Sequence, residues 1–458
     1  MPSFEFYTTP LDPSVDLLGL HEKDPQRFPF LLDSAAIGGS AQRTLGRYDI
    51  LFCEPEEALV LSAEDLADGR ATDFFSRLDA LAPTRHGLGD DTATWPFRGG
   101  WFVFASYELA AQVETVLALP LDYTLPVALA VRVRSAVVRC HRSGQVHLIS
   151  ERAGTDDLLD AVSAATPTRS VGARRSLIDE LKEEPADRYL NAVERAKEHI
   201  AAGDVFQANL SREWCATLAQ NVRSVDIYQR LRAANPAPFA GLMVWGDQCV
   251  MSSSPERLVR LAEGRIDTRP IAGTRPRGTS VASDQAQSLE LLGHPKERAE
   301  HVMLIDLERN DIGRVCRAGT VTVDEFMVLE SYAHVHHIVS NVSGELEADI
   351  GPGQALRAVF PGGTITGCPK VRCMEIIADL ERAPRGAYTG AMGYLNRDGS
   401  GDFNILIRTA VSDGRNVRFR AGAGIVADSK PEAELHETRA KARGLILALN
   451  PEHNGCPA

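Results

Sequence analysis

The chain has 458 residues, with 44% apolar residues, 24% charged residues and a formal net charge of −13. This composition is typical of a globular protein with two or three domains or one large unit. The acidic balance and the lack of a long Lys/Arg run argue against a nucleic-acid partner. We find no basic-then-apolar leader and no apolar run of about 18 residues, so we expect a cytoplasmic protein without a membrane anchor.

The first two parts of the chain differ in composition. Residues 1–150 form an N-terminal region in which β-branched, apolar runs predict strands at 48–52, 99–104 and 127–138. Residues 151–186 are polar and contain Gly, Ser, Thr and Pro, which is typical of a linker with room for one helix.

From residue 187 onward, predicted helices and strands alternate. Asp187 can cap a helix whose apolar residues recur at helical spacing until Gly203. Several predicted strands follow one another directly, which favours an α+β fold over a strict βαβ series. Further strands are predicted at 205–210, 242–245, 390–395, 404–410 and 417–421, and helices at 295–309, 371–380 and 431–449.

Two of these helices each carry a pair of glutamates on one face: Glu297 with Glu300, and Glu434 with Glu437. Two such helices can together hold one hard cation. Mg²⁺ prefers oxygen ligands, takes few of them from protein and leaves positions for water and an anionic substrate. Glutamate pairs are also common on solvated helices, so spacing alone leaves that alternative open. The apolar run at 302–307 favours a buried helix.

Arg408 stands in an apolar segment. In the predicted strand it shares a face with Asn404 and Leu406. An arginine in such a place needs an anion, and its planar fork suits a substrate carboxylate as well as an internal salt bridge.

Two glycine-rich segments can bring backbone N–H groups close to an anion. Gly422 and Gly424 lie in the run AGAG, between a predicted strand and the helix of Glu434. The run PGGTITG at 361–367 is predicted to be a loop leading into a helix N-terminus, which favours negative charge. Its spacing is not that of a P-loop.

Long runs of the chain resemble the chorismate-utilising enzymes, which include anthranilate synthase component I, aminodeoxychorismate synthase component I, isochorismate synthase and salicylate synthase. The resemblance implies a catalytic domain over 187–452. It also implies an α+β fold, an α/β sandwich of two stacked, mainly antiparallel sheets flanked by helices, with the chorismate cleft between the halves. The N-terminal region matches more loosely, through FLLDSA (30–35) and RYDILFCEP (47–55). The stronger matches are GDVFQANLSREW (203–214), SSSPERL (252–258), RPIAGTRPRG (269–278), HPKERAEHVMLIDLERNDIGRV (294–315), FPGGTITGCPKVRCMEII (360–377), YTGAMGYL (388–395), ILIRT (405–409) and AGAGIVADSKPEAELHETRAKA (421–442).

The same resemblance implies a metal site. Glu300 and Glu437 match the direct Mg²⁺ ligands of the family. Glu297 and Glu434 match flanking carboxylates that hold metal-bound water or tune the ligands. The metal would anchor the ring carboxylate of chorismate, a dianion that four glutamates would otherwise repel.

The remaining site is implied by single matched positions. Arg408 and Tyr388 match the pair that binds the enolpyruvyl carboxylate, helped by the backbone amides of Gly422 and Gly424. His337 matches a histidine near the departing C4 hydroxyl, although a histidine in a strand is more often structural.

Further matched positions concern the nucleophile and the loop. Lys441 matches the lysine after the second glutamate pair, and Thr364 matches the hydroxyl of the glycine-rich loop. The water-using members of the family have a lysine base where this chain has Gln207. Because a glutamine cannot take a proton, this position favours a member that uses ammonia.

Two ammonia-using activities remain in competition. Many aminodeoxychorismate synthases have PIKGT, whose lysine attacks C2, whereas this chain has PIAGT at 270–274, as in anthranilate synthases. Ala272 cannot be a nucleophile. PGGTITG, FNILIRT and RYDILFCEP instead resemble aminodeoxychorismate synthase. We therefore expect amination of chorismate to 4-amino-4-deoxychorismate, for 4-aminobenzoate and folate biosynthesis, by direct attack at C4. Anthranilate synthase component I, for tryptophan biosynthesis, is the alternative.

The sequence also implies partners. Neither a cysteine nucleophile elbow nor room for a glutaminase domain is evident, so we expect a separate glutamine amidotransferase subunit to supply ammonia. The run LLDS replaces the LLES tryptophan-contact motif, so Leu32, Asp33 and Ser34 form a candidate tryptophan site. An inactive regulator built on this scaffold would be expected to lose the glutamates, Arg408 or Lys441, and all are present.

Overall fold

Two large open sheets with flanking helices make up the fold, and every strand pairing between the described residues is antiparallel. The predicted α+β class is confirmed. The computed structural model describes residues 6–35, 46–82, 95–169, 172, 175–332 and 335–452.

The strands in chain order are β1 (Tyr7–Leu11), β2 (Phe30–Asp33), β3 (Tyr48–Cys53), β4 (Ala58–Leu61), β5 (Gly100–Ala105), β6 (Ala128–Val133), β7 (Ser135–Cys140), β8 (Val146–Ser150), β9 (Ile178–Glu183), β10 (Gln207–Leu218), β11 (Phe239–Trp245), β12 (Gln248–Ser254), β13 (Arg257–Ala262), β14 (Arg265–Thr268), β15 (Ile271–Pro276), β16 (Thr322–Ser331), β17 (Val335–Glu345), β18 (Gly367–Cys368), β19 (Ala391–Asn396), β20 (Gly401–Ile405), β21 (Thr409–Asp413) and β22 (Asn416–Ile425). The helices are α1 (Leu17–Lys23), α2 (Ala63–Ala67), α3 (Phe74–Leu81), α4 (Ala110–Val113), α5 (Asp156–Ser163), α6 (Ala186–Ala201), α7 (Ser224–Ala234), α8 (Val281–Gly293), α9 (Pro295–Gly313), α10 (Pro352–Val359), α11 (Lys370–Glu381) and α12 (Pro431–Leu449). Short 3₁₀ turns lie at Tyr107–Leu109 and Gly363–Ile365.

Both sheets combine strands from early and late parts of the chain. The first has the order β1-β8-β7-β3-β2-β11-β12-β21-β22-β10-β18, with β9 also paired to β10. The second has the order β15-β17-β14-β13-β20-β19-β5-β6-β4, with β16 also paired to β17. The division into residues 1–150, 151–186 and 187–452 stays a prediction, and strands of the first and last ranges share both sheets.

Buried aromatic side chains join the two sheets. The rings of Phe30 on β2 and Phe102 on β5 stack with their centroids 4.1 Å apart, and Phe52 on β3 meets Phe102 edge-on at 5.5 Å. Aromatic pairs in such geometries add specific attraction to the burial of their area. Helices α7 and α12 pack on the outer side of the first sheet, and α3 and α10 on that of the second.

The predicted strand at 404–410 is wrong in one important respect. It is two strands, β20 in the second sheet and β21 in the first, joined by a crossing at 406–408. Arg408 ends this crossing with a φ of 52°, in the left-handed region that a side chain other than glycine adopts at a cost of about 1–2 kcal/mol. The direction of its side chain is therefore set by the segment that connects the two sheets and not by alternation along a strand.

Other bounds also differ from the sequence predictions. Gly422 and Gly424 lie inside β22 and not in a loop after it. Pro185 precedes α6, so Asp187 stands in its first turn instead of capping it. The single strand predicted at 127–138 is the pair β6 and β7. The predicted helices that carry the glutamates are confirmed as α9 and α12. Among the described residues no helix is long and apolar enough to cross a membrane.

Candidate functional site

The four predicted carboxylates come close enough to affect one another. Burial, and then the charges of Glu297 and Glu437, raises the pKa of Glu300 on α9. Burial also raises the pKa of Glu434 on α12, with Glu437 adding to the effect and a hydrogen bond from Ser429 opposing it. The two glutamate pairs thus share one acidic region between α9 and α12.

Basic side chains bind two of these glutamates. Arg275 Nη1 donates to Glu297 Oε1 at 3.1 Å. Lys441 Nζ lies 2.8 Å from Glu437 Oε1 and also donates to the carbonyl oxygen of Gly422 at 3.0 Å. Lys441 therefore connects the second glutamate pair to β22. Both members of the Lys441–Glu437 pair are about half exposed, so the pair itself contributes little to stability.

The donor set is compatible with Mg²⁺. No group of three or more His, Cys, Asp or Glu side chains in the described part of the chain is arranged to hold a metal ion. Mg²⁺ needs only one or two protein carboxylates beside water and substrate oxygens. The repulsion that raises the pKa of Glu300 is the kind of energy that a divalent cation removes. Ligation by Glu300 and Glu437, with Glu297 and Glu434 in support, stays a prediction.

Strands β10 and β22 form a wall in which two glycines allow close approach. A Cβ at Gly422 would lie 2.8 Å from the hydroxyl oxygen of Tyr388, and a Cβ at Gly424 would lie 2.3 Å from Gln207 Nε2. Any side chain at these positions would displace a predicted site residue. Burial raises the pKa of Tyr388 to about 12, so its hydroxyl stays a donor at neutral pH.

The guanidinium of Arg408 makes few contacts with other described residues. Its Nη1 donates to Asn235 Oδ1 at 3.3 Å. No carboxylate of the described residues lies within ion-pair distance of it, which disfavours the internal salt bridge as its role. A half-buried guanidinium with one weak neutral partner is suited to an external carboxylate.

His337 is a neutral side chain near this arginine. Its Nδ1 lies 2.9 Å from Thr274 Oγ1, and burial, followed by the charge of Arg408, lowers its pKa to about 4. The neighbouring His336 instead pairs with Asp284 at 2.9 Å. At neutral pH His337 can therefore hold or orient a hydroxyl group but does not carry a proton in reserve.

Glu256 is a site residue that the sequence candidates omitted, although it lies in the matched run SSSPERL. It is buried and accepts a hydrogen bond from Thr364 Oγ1 at 2.7 Å. Burial raises its pKa to about 7, while Thr364, Lys441 and Arg408 act in the opposite direction. A carboxyl that holds a proton near neutral pH can serve as a general acid. That matched run was the available signal in the sequence.

Comparison with known proteins agrees with this geometry. A family model described as chorismate binding enzyme matches residues 38–447. The chain belongs to the chorismate binding enzymes. It is 42% identical over 370 residues to aminodeoxychorismate synthase component 1 of Bacillus subtilis, covering 77% of each chain. It is 38% identical over 425 residues to anthranilate synthase component 1 of Methanothermobacter marburgensis, covering 92% of this chain and 89% of the relative.

A solved structure supports the same family. Anthranilate synthase component I from Streptococcus pneumoniae TIGR4 matches with a TM-score of 0.77 and 30% sequence identity, covering 87% of this chain and 92% of that one. The resemblance inferred from the sequence is confirmed at the level of the family. Both an aminodeoxychorismate synthase component 1 and an anthranilate synthase component 1 are thus similar to this chorismate binding enzyme.

The candidate tryptophan motif of this chorismate binding enzyme lies in the first sheet, where β2 is four strands from β22. Asp33 is buried and binds Arg232 Nε at 2.5 Å and the Tyr228 hydroxyl at 3.3 Å. Burial and Asp49 raise the pKa of Asp33 to about 7. The Ser34 amide donates to Asp49 Oδ1 at 2.9 Å. These contacts hold the motif in place, and tryptophan binding by Leu32–Ser34 stays a prediction.

Replacing the buried acid tests its role. We expect Glu256→Gln to lower kcat for chorismate by about 10²–10⁴-fold, because the amide keeps the shape but has no proton to give. In the parent enzyme, kcat at constant free ammonia should fall as the pH rises through about 7, where Glu256 loses its proton. Thr364→Val should move this fall to higher pH, since it removes the hydrogen bond that favours the carboxylate.

Glu151 offers a matched control. It is a buried glutamate that pairs with Arg132 at 2.5 Å and Arg397 at 3.0 Å, outside the site. Glu151→Gln should reduce the free energy of unfolding without changing the pH profile. An unchanged kcat and pH profile in Glu256→Gln would exclude Glu256 as the acid.

Proposed function

We propose that this chorismate binding enzyme aminates chorismate with ammonia to 4-amino-4-deoxychorismate, as an aminodeoxychorismate synthase component I acting in 4-aminobenzoate and folate biosynthesis. The use of ammonia in this proposal rests on the side chain of Gln207, and the choice of the 4-amino product rests on the runs PGGTITG, FNILIRT and RYDILFCEP. Gln207 is buried against Gly424, and its Oε1 has no hydrogen-bond partner among the described residues. An amide cannot activate water as a base, but it can accept a hydrogen bond from ammonia.

The residues around the substrate have distinct tasks in this proposal. Arg408 and Tyr388 bind the enolpyruvyl carboxylate as charged and neutral donors. Glu256 gives its proton to the C4 hydroxyl, which leaves as water while the ammonia nitrogen forms its bond to C4. One proton of the new ammonium group then restores Glu256, so chorismate and ammonia give the amine and water. His337 orients the departing hydroxyl.

In this proposal the glutamates hold a metal ion for the ring carboxylate of chorismate. Glu300 and Glu437 would hold Mg²⁺, which supplies positive charge for the ring carboxylate when it is bound, and Glu297 and Glu434 would support them. Lys441 adds a second positive charge next to Glu437 and fixes the Gly422 carbonyl. These charges oppose the repulsion between the acidic helices and an anionic substrate.

Anthranilate synthase component I is the second candidate, and Ala272 favours it. This residue is buried on β15, where it pairs with Ile338 of β17, next to His337. Gly273 beside it approaches Glu297, since a Cβ there would lie 3.0 Å from Glu297 Oε2. Position 272 thus borders the site and offers no amine for a covalent route. Under our proposal, ammonia attacks C4 directly.

We also infer that ammonia comes from a separate glutamine amidotransferase subunit. Support comes from the relatives, whose names designate them as component 1 of a synthase. Ammonium salt should replace that subunit in vitro, because the proposed nucleophile is ammonia itself.

Product identity decides between the two activities. Purified enzyme with chorismate, Mg²⁺ and ammonium salt should form 4-amino-4-deoxychorismate, which an added lyase converts to 4-aminobenzoate. Chromatography with absorbance and fluorescence detection separates this product from anthranilate. Anthranilate as the main product would replace the proposed reaction by the alternative.

The carboxylates should control the metal requirement. We expect Glu300→Gln and Glu437→Gln to lose Mg²⁺-dependent turnover, because each removes a charged oxygen ligand while keeping the side-chain shape. Glu432→Gln is the matched control, since Glu432 is exposed in the first turn of α12. Calorimetric titration with Mg²⁺ and turnover at increasing Mg²⁺ concentration measure the effect. Full activity of either ligand variant would contradict the assignment.

The nucleophile position can be tested by exchange of Gln207. Gln207→Lys introduces a base beside Gly424 and should raise the addition of water to chorismate, detected as isochorismate. Gln207→Met, of similar length and without a base, should not. If the lysine variant gives no isochorismate above the methionine variant, Gln207 does not select the nucleophile.

A further inference from the structure

A buried ionic network lies behind the wall of β10 and β22. Arg385 binds Glu381 through Nη2 at 2.7 Å and Nε at 3.1 Å, and Arg420 Nη2 binds the same carboxylate at 3.1 Å. The amide and hydroxyl of Ser211 donate to Glu381 Oε1 at 2.8 and 2.9 Å. The side chains of Glu381 and both arginines are at most 6% exposed. Each buried charge is therefore stabilised by the opposite charges beside it and hardly by water.

Arg385 also contacts three segments that carry site residues. Its Nη2 donates to the carbonyl oxygen of Asn209 at 2.7 Å, and its Nη1 donates to that of Ile365 at 3.3 Å. Its guanidinium carbon lies 5.6 Å from the ring centroid of Tyr388 and 4.9 Å from that of Tyr107. One side chain therefore links β10, the glycine-rich turn and the segment before β19.

Each contacted segment has a neighbour with a task in catalysis. Asn209 is two residues from Gln207, on the same side of β10. Ile365 directly follows Thr364, the donor to Glu256. Tyr388 is itself in the substrate wall. We propose that Arg385 is a positioning residue for amination. It fixes the relative positions of Gln207, Glu256 and Tyr388.

The shape of the guanidinium explains why an arginine is suited to this task. Its planar fork offers five N–H donors in fixed directions and stacks on aromatic rings, whereas a lysine ammonium is a flexible point charge. The backbone of the same residue is also fixed. Glu108 Oε1 accepts the amides of Arg385 and Gly386 at 2.8 and 3.0 Å. The fork thus extends from an anchored backbone toward the three site segments.

The test uses Arg385→Lys in the full chain. The lysine keeps the charge for Glu381 but loses the fork, so the site segments should shift by fractions of an ångström. We expect kcat/KM for chorismate to fall by about 10–100-fold, with kcat lowered and KM raised, because small misplacement of reacting groups slows the chemical step. Chorismate consumption is the readout, so the result does not depend on which amine is formed.

Arg212→Lys is the matched control. Arg212 is a fully buried arginine on β10 that pairs with Glu183 at 2.5 Å and lies 5.1 Å from the ring of Trp214. The Arg212→Lys variant should lose about as much thermal stability as Arg385→Lys and keep kcat and KM within about twofold of the parent. Equal kinetics of the two lysine variants would overturn the proposal and assign Arg385 a structural role.

Two further variants make the outcome decisive. The double variant Arg385→Lys with Tyr388→Phe should lose less kcat/KM than the product of the two single losses predicts. Contacting residues of one network are coupled, so their effects do not add in free energy. If Arg385→Lys does not fold, Glu381→Gln replaces it in the test. This change removes the carboxylate that holds the Arg385 guanidinium, so it should raise the KM for chorismate in the same way. A parent-like KM and kcat in Glu381→Gln would then overturn the proposal. The inference rests on the proposed amination of chorismate. A parent enzyme that consumes no chorismate would contradict that function, and anthranilate as the product would change the reaction without changing the test of Arg385.

Discussion

The passage of the chain from one sheet to the other at residues 406–408 determines much of the site. The hydrogen-bonding pattern of β20 ends at Ile405 and that of β21 begins at Thr409, in different sheets. Arg408 ends the link in a left-handed conformation that most side chains avoid. The crossing leaves its carbonyl oxygen bonded to the amide of Ser253 on β12 and its side chain outside the alternation of either strand. Its guanidinium lies close enough to Glu256 and His337 to affect the pKa of each.

The electrostatics of this place follow from closely spaced opposite charges. Four glutamates on two helices lie among the basic side chains of Lys441, Lys296 and Arg275, and burial keeps Glu256 able to hold a proton near neutral pH. A bound dianion would add negative charge to this region, and a divalent cation, as proposed for Glu300 and Glu437, would offset it. The neutral state of His337 and Tyr388 prevents further charge from accumulating there. Burial thus keeps some groups of this region neutral beside others that are charged.

Sequence patterns predicted the helices and the acidic residues well because helical spacing is a local property. The positions of Glu297, Glu300, Glu434 and Glu437 on one face of each helix follow from intervals of three along two predicted helices. Arg408 was placed in a continuous strand, since alternation at 403–409 does not reveal that the chain changes sheets. Glu256 was omitted because its proton affinity comes from burial by distant segments, which no local pattern contains. The product stays undecided by the fold, as both activities share it.

The mixed origin of the sheets has a consequence for synthesis of the chain. β2 pairs with the nearby β3 but also with β11, and β5 pairs with the nearby β6 but also with β19. The second neighbour of each strand is made only about two hundred or more residues later. Non-local pairing of this kind slows folding, and unpaired strand edges of the N-terminal region are open to aggregation in the meantime. The emerging polypeptide therefore leaves one edge of each of these strands uncovered until the distant partner strand has been made.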